Sequence, residues 1–283
     1  MSVYRQIKDK FIMKNAWTDW ESYRESLTDL ILQREPGTVA IIGAGRCNDI
    51  DLRRILAVSE KAFLLDIDEE AMYKALDGLP EVYRKKADIR EMSLTGISET
   101  DIEAVCEDML SFVRKEGKNI TLKSLRLRIM PYLDGLTDKL IKEERELLDK
   151  LSDVSPDVIV CCGVYSQLFG LLSFFFRSLL FSVRDVLPEA MSLENELSER
   201  LHQMNNMVIP VTCSALIKAA AGCVIFGNEY MPESPVEGAH QCIMDVRAHY
   251  DPEEYHLEWN FNRAEGITYD MLIQVCSTGR DDS

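Results

Sequence analysis

Two glycines and a carboxylate are the residues whose types and spacing most clearly point to chemistry. An apolar run at 38–42 leads into Gly43-Ala44-Gly45-Arg46-Cys47-Asn48-Asp49, and a second apolar run at 62–65 ends at Asp66. Glycines let backbone approach a ligand, the following helix offers unpaired N–H groups, and the carboxylate can accept hydrogen bonds from ribose hydroxyls. The pattern therefore predicts a unit that binds an adenosine-containing cofactor.

The elements that must position these residues alternate between strand and helix. We predict strands at 39–42, 62–65, 89–94, 157–162 and 222–226, helices at 49–58, 69–76 and 80–86, and a final hairpin formed by 255–262 and 268–276. Such alternation is typical of an α/β fold with parallel strands. The expected fold is a doubly wound, Rossmann-like, mostly parallel sheet with a C-terminal antiparallel hairpin.

Two helical regions flank this pattern. An aromatic and aliphatic stripe that includes Trp17, Trp20 and Tyr23 predicts a helix over 1–34, which Pro36-Gly37 ends. We therefore predict an N-terminal helical segment over 1–36, either packed on the core or acting as a lid, and an α/β domain over 37–283. A helical insertion is expected at about 99–152, beginning with a capping box at Ser98 and Asp101 and interrupted near Gly117 and Pro131. A further helix over 194–221 should be kinked or interrupted at Pro210.

Composition narrows the classes of function. The chain has 283 residues, 46% of them apolar, and a net charge of −16. This negative charge disfavours nucleic acid as a partner and suits a small molecule or a basic protein. Eight cysteines without a CxxC pair predict reduced core thiols in a cytoplasmic protein, with no metal site. No signal sequence is evident, and the apolar window 171–183 is too short to span a bilayer, so no membrane association is expected.

Taken in order, these segments resemble a class I S-adenosylmethionine-dependent methyltransferase. The resemblance rests on the turn 41–49, on Leu65-Asp66-Ile67-Asp68, on Leu94-Thr95-Gly96, on the strand 157–163 and on the C-terminal hairpin. It covers roughly residues 37–98 and 154–278. Within the family, the glycine turn and Tyr165-Ser166-Gln167-Leu168 resemble a poorly characterised bacterial branch.

The turn alone is compatible with two cofactors. It lacks the third glycine of G-x-G-x-x-G, and the spacing to Asp66 suits either NAD or S-adenosylmethionine. The absence of a separate substrate domain, the lack of an evident hydride-transfer acid and the closing hairpin favour the methyl donor. A nicotinamide-dependent oxidoreductase and a non-catalytic, methyltransferase-like binding or scaffold protein stay open as alternatives.

The resemblance implies a set of cofactor-binding residues. The backbone of the glycine turn would contact the methionine portion, and Asp66 would bind the ribose hydroxyls. Ile67 would cover one face of the adenine. Ser93, or alternatively Asp88, would bind the adenine amine. The family often has an acid at the position of Ile41, so Asn48 or Asp49 is expected to hold the ammonium group instead; a helix N-cap is the alternative role for Asp49. The full set is Gly43, Ala44, Gly45, Asn48, Asp49, Asp66, Ile67, Ser93, Cys162 and Gly163.

Substrate-side residues are expected where the fourth strand ends, because ligands of open α/β sheets gather there. The candidates are Tyr165, Ser166, Gln167, Trp17, Trp20 and Tyr23. A proton acceptor is needed only for an acceptor that is protonated at working pH, and Tyr165, Glu229 and His202 are the candidates. Helix capping by Ser166 and a structural role for His202 are the alternatives. The methyl acceptor would be a small molecule or a protein, and the Phe174-Phe175-Phe176 cluster would belong to the core or to a homodimer surface.

Overall fold

The computed structural model describes residues 3–278 and contains one seven-stranded sheet. The strand order is β3-β2-β1-β4-β5-β7-β6, with β1 to β5 parallel and β7 antiparallel to both of its neighbours. The predicted mostly parallel sheet with a C-terminal antiparallel hairpin is confirmed. The strands are β1 (Thr38–Ile42), β2 (Lys61–Asp66), β3 (Ala87–Glu91), β4 (Val158–Cys162), β5 (Cys223–Glu229), β6 (Glu253–Asn262) and β7 (Ile267–Ser277).

Helices cover both faces of the sheet. In chain order they are α1 (Val3–Lys10), α2 (Ala16–Asp19), α3 (Glu21–Leu32), α4 (Leu52–Val58), α5 (Glu69–Ala75), α6 (Glu81–Arg84), α7 (Glu99–Glu116), α8 (Leu122–Asp138), α9 (Glu144–Leu151), α10 (Gly170–Val183), α11 (Glu194–Ala219) and α12 (Ala239–His249). Helices α3 and α4 pack on one face, while α9, α11 and α12 pack on the other. The central strands are continuous apolar runs because side chains on both of their faces are buried.

The N-terminal segment is not the single helix that the stripe predicts. It forms α1, α2 and α3, with a break before α2, and α3 carries the part of the stripe that packs on the sheet. Leu27 and Ile31 are completely buried there.

Helices α7, α8 and α9 occupy the predicted insertion. The capping box of Ser98 and Asp101 is present at the start of α7, as predicted. The expected interruption at Pro131 is wrong, and so is an interruption at Pro210, since each proline lies inside one continuous helix. The kink at Pro210 stays a prediction. Both proline side chains are exposed while apolar residues of the same helices pack in the cores, so tertiary packing outweighs the lost backbone hydrogen bond.

The third strand is displaced from its predicted position. It ends at Glu91 and not at residue 94. The hydroxyl of Ser93 accepts hydrogen bonds from the N–H groups of Thr95 and Gly96, at 3.3 and 3.1 Å. Hydroxyl side chains that bond local backbone in this way compete with a strand ladder, which is why the chain turns here.

Helix α10 contains the most apolar part of the chain. By length and composition alone, the stretch Tyr165–Val183 could cross a membrane, with a mean hydropathy of 1.4 over the window tested. Core helices of soluble proteins share this property, and here Phe175 and Phe176 lie in the core. Phe174 is half-buried and packs edge-on against Phe11 at 5.2 Å, so the three phenylalanines do not form the exposed surface that a scaffold or dimer role would need.

Candidate functional site

The glycine turn lies where the strand order reverses. Strand β1 has β2 on one side and β4 on the other, and ligands of open α/β sheets bind in the crevice at such a point. Gly43 and Gly45 follow β1 and Gly163 follows β4, all three with positive φ, of 66°, 46° and 64°. This conformation favours glycine because it has no Cβ. The turn therefore presents backbone to the crevice, and Gly43 itself is exposed.

The carboxylate of Asp66, at the end of β2, holds the glycine turn in place through a hydrogen bond. One carboxylate oxygen accepts the N–H of Gly45 and the other accepts the N–H of Asp68, each at 2.8 Å. Burial raises the pKa of Asp66 above its usual value, although these two backbone donors partly oppose the shift. Each oxygen has a further lone pair, so the carboxylate can accept hydrogen bonds from a ligand as well.

Asp49 is a half-buried carboxylate that forms no ion pair within residues 3–278. Burial raises its pKa to about 6, while its own backbone N–H and the charge of Arg24 act in the opposite direction. The alternative role of helix N-cap is wrong for Asp49, because Asp51 caps α4 by accepting the N–H of Arg54 at 3.1 Å. A ligand ammonium group would neutralise the Asp49 charge.

Helix α3 fixes the far end of the turn through a buried arginine that sequence reasoning missed. Arg24 is 5% exposed and donates to the carbonyl oxygens of Trp17 and Asn48, at 2.7 and 3.1 Å. Thr28 on the same helix accepts the N–H of Asp51 at 2.9 Å. No periodicity in the sequence signals a buried arginine, since its partners are carbonyl groups outside its own helix.

An aromatic wall stands beside the ends of β4 and β5. The Tyr23 hydroxyl lies beside the sulfur of Cys162, and Trp259 lies 3.9 Å from the position of a Cβ on Gly163. Trp20 contacts Trp259 edge-on at 4.9 Å and donates its indole N–H to the carbonyl of Phe261 at 2.9 Å. Sequence reasoning missed Trp259, whose only signal is its inward place in the alternation of β6.

Glu229 ends β5 beside this wall. It is 7% exposed, and one carboxylate oxygen accepts the Ser166 hydroxyl at 2.9 Å. The capping alternative for Ser166 is wrong, because Phe169 occupies the N-cap of α10. Ser166 therefore joins the loop after β4 to the end of β5.

Two candidate proton acceptors lie elsewhere. Tyr165 is 1% exposed, and its hydroxyl accepts from Thr212 and Cys213 in the core beneath α11, so this position does not support a role in proton transfer. His202 lies on α11 and contacts Gln241 at 2.9 Å. Its described contacts do not join it to the glycine turn.

The remaining candidates differ in how they are placed. Trp17 is 55% exposed and stacks on the Arg24 guanidinium, and Gln167 is exposed. Ile67 is half-buried next to Asp66, while Ala44 is buried and its N–H donates to Leu65. Ser93 is half-buried and donates its own hydroxyl to the carbonyl of Ile97 at 2.7 Å.

All eight cysteines are buried and free, as the sequence predicted. Burial raises the pKa of Cys47 and Cys162, so both are neutral thiols at physiological pH. Within residues 3–278, no cluster of three or more His, Cys, Asp or Glu side chains is arranged to hold a metal ion.

Comparison with known proteins gives similarity in structure only. No family model and no curated protein matches the chain. It is similar to the methyltransferase domain of a bacterial Hen1 (11% identity, 91% of this chain and 98% of the other, TM-score 0.42). It is also similar to magnesium protoporphyrin IX methyltransferase from Synechocystis, with 10% identity over 97% of this chain and 89% of the other and a TM-score of 0.42. A third similar structure is the O-methyltransferase TomG from Streptomyces achromogenes, with 10% identity over 98% of this chain and 96% of the other and a TM-score of 0.43. The last two structures contain S-adenosylmethionine. Similarity at this level does not define a function.

Proposed function

We propose that this chain is an S-adenosylmethionine-dependent methyltransferase acting on a small-molecule or protein acceptor in the cytoplasm. The observation that carries the proposal is the exposed glycine turn at the point where the strand order reverses, braced by the Asp66 carboxylate at the end of β2. A turn and a carboxylate in this relation suit a ligand that has both a ribose and a charged tail.

The edge of the sheet beyond β5 argues against a dinucleotide. A dinucleotide-binding sheet is built from two similar parallel halves, whereas here the sixth position is taken by the antiparallel strand β7. An adenosine cofactor without a second nucleotide needs only the half that contains β1, β2 and β3. This arrangement favours the methyl donor over a nicotinamide cofactor.

The residues of the crevice suit the charge of S-adenosylmethionine. Asp66 would accept the ribose hydroxyls, Asp49 would pair with the ammonium group, and the backbone of Gly43 and Gly45 would contact the methionine portion. The raised pKa of Asp49 supports this assignment, because a carboxylate that is partly removed from water and has no ion-pair partner gains from a cationic ligand. Ile67 and Ser93 remain the candidates for the adenine.

The cofactor supplies a methyl group on a sulfonium that is already an activated leaving group. The protein must therefore mainly hold the acceptor in line and exclude water, and such alignment can supply much of the rate acceleration. Tyr23, Trp20 and Trp259 would provide the apolar wall for that purpose. A residue that takes a proton is required only where the acceptor atom is protonated.

Isothermal titration calorimetry with S-adenosylmethionine tests the proposal. The wild type should bind, and Asp66→Ala and the isosteric Asp66→Asn should each bind at least about tenfold more weakly, since about 1.4 kcal/mol is a modest value for lost hydrogen bonds to a charged group. Asp77→Ala, which removes an exposed carboxylate after α5, is the matched control. Absence of binding by a folded wild type, or binding of NADH in its place, would contradict the proposal.

A further inference from the structure

Glu229 is a buried acid whose second oxygen is unsatisfied. Within residues 3–278, its Oε2 has no hydrogen-bond partner, while Oε1 accepts the Ser166 hydroxyl. Leaving a buried polar atom unpaired is costly, and the cost is larger for a charged group. Such a group in a native protein calls for an explanation, and a ligand that supplies the missing donor is one.

In the part of the chain that the structure describes, no cationic side chain forms an ion pair with Glu229. The groups that lower its pKa are its own backbone N–H and the Ser166 hydroxyl. Burial is the larger effect and raises the pKa. Arg247, which lines the same cavity as Glu229, is engaged by both carboxylate oxygens of Glu254. The site therefore lacks one positive charge and one donor.

The surroundings of Glu229 place it at the reaction end of the crevice. Its charge raises the pKa of Tyr23 and Cys162, the two groups that meet beside the end of β4. Ser166, its hydrogen-bond partner, belongs to the loop that follows β4. Asp49 also raises the pKa of both Tyr23 and Cys162, so the two carboxylates lie near this pair together.

A cavity of about 220 Å³ adjoins Glu229 at the end of β5. Most of its lining is apolar and comes from the chain after β5 and from α12, including Met231, Pro232, Ile243 and Met244. This volume is below the roughly 300–1,000 Å³ of ordinary ligand pockets, so the cavity would hold only a small organic molecule. Glu229 is the only acidic side chain among its lining residues, which also include His240 and Arg247 of α12.

We propose that Glu229 and Ser166 bind the amino group of the methyl acceptor, and that the acceptor is a small apolar amine. The inference rests on the proposed methyl transfer and names the substrate class of the same site. An ammonium group would supply both the missing charge and the missing donor, whereas a hydroxyl would supply only the donor.

Such a site would also prepare the acceptor nitrogen. The bound ammonium gives one proton to the Glu229 carboxylate, which becomes a neutral acid, and the nitrogen keeps the electron pair of the broken N–H bond. A carboxyl group whose pKa is raised by burial accepts a proton more readily than an exposed one. The neutral amine is the form able to accept a methyl group.

Titration calorimetry with two isosteric probes tests this inference on the full chain. The probes are 2-phenylethylamine, which is cationic at pH 7.5, and 2-phenylethanol, which is neutral. The wild type should bind the amine at least about tenfold more tightly, the ratio expected from about 1.4 kcal/mol for one charge-assisted hydrogen bond. Glu229→Gln should remove that preference, and Glu258→Gln, an exposed glutamate on β6, should leave it unchanged. Lowering the pH should weaken amine binding to the wild type, because protonation removes the Glu229 charge.

S-adenosylmethionine affinity separates this inference from the proposed function. Glu229→Gln should bind the cofactor as the wild type does, within about twofold, because Glu229 is assigned to the acceptor. Equal binding of the two probes, no saturable amine binding, or loss of cofactor affinity in Glu229→Gln would overturn the amine site. Failure of the wild type to bind S-adenosylmethionine would contradict the proposed function, whatever the probes show.

Discussion

Two carboxylates, the half-buried Asp49 and the buried Glu229, give the crevice its chemical character at the scale of single residues. Burial raises the pKa of both Asp49 and Glu229, and neither forms an ion pair within the part of the chain that the structure describes. Proteins seldom bury acids unless these are paired or functional. We assign Asp49 to the cofactor ammonium and Glu229 to the acceptor, so each acid would meet a different cation.

The pKa of Asp49 predicts how cofactor affinity depends on pH. Above a pKa of about 6 the Asp49 carboxylate is ionised and attracts the ammonium group, and below it the neutral acid does not. S-adenosylmethionine should therefore bind more weakly at pH 5 than at pH 7, by about tenfold for one linked proton. Calorimetry across this range checks the prediction. Asp49→Asn should flatten the profile and Asp77→Asn should not; an unchanged profile in Asp49→Asn would contradict the assignment.

Gly43 should not tolerate a side chain. A Cβ there would lie 2.4 Å from Cγ2 of Val164, and φ is +66°. Gly78 is the matched control, because its φ of +77° is similar and no atom lies within 4 Å of its Cβ position. Gly78→Ala should cost about 1–2 kcal/mol of unfolding free energy through backbone strain alone. Gly43→Ala should cost about 1–3 kcal/mol more through the clash with Val164. Urea unfolding measures both, and equal losses would show that the clash is relieved.

Helix α3 is the element that organises the glycine turn. Its Arg24 and Thr28 bond to the backbone on both sides of Asp49, and its Tyr23 reaches the end of β4. The same helix packs on the β6–β7 hairpin through Trp20. One helix thus connects the glycine turn to the aromatic wall, so a substitution of Arg24 should affect ligand binding as well as stability.

Arg24→Ala tests this connection. Loss of two hydrogen bonds from a buried charged donor should lower the unfolding free energy by about 1–3 kcal/mol. The turn would lose its tie at Asn48, so S-adenosylmethionine should also bind more weakly at a temperature where the variant is folded. Arg53→Ala, at an exposed position on α4, is the control. A stable variant with unchanged affinity would show that the turn does not depend on α3.

How far the site could be predicted from sequence depends on the distance between partners along the chain. The glycine turn and Asp66 belong to neighbouring parallel strands, so local pattern was enough to bring them together. Trp20 and Phe261 are 241 residues apart, and no local signal joins them. Tyr165 was expected at the crevice, but the 3₁₀ turn Tyr165–Gln167 directs it into the core and leaves Ser166 to reach Glu229.

At the scale of the whole molecule, the N-terminal segment is integrated with the rest of the fold. Lys8 of α1 pairs with Asp68 at 2.8 Å and with Glu99 at 2.6 Å, which links α1 to the segment after β2 and to α7. Tyr23, Leu27 and Ile31 of α3 lie in the same core cluster as β1 and β4. This packing favours the core alternative for the segment over a lid that opens and closes.

Native-state hydrogen exchange distinguishes a core helix from a lid. If α3 is a core helix, its amides should exchange only on global unfolding, with the same opening free energy as the amides of β1. A lid would open locally, with a lower opening free energy. Leu27→Ala should lower both values together, by about 2–5 kcal/mol, because it creates a cavity in their shared core. Asp29→Ala, at an exposed position on the same helix, should change neither by more than about 0.5 kcal/mol. Faster exchange of α3 than of β1, with Leu27→Ala affecting α3 alone, would establish the helix as a separately opening lid.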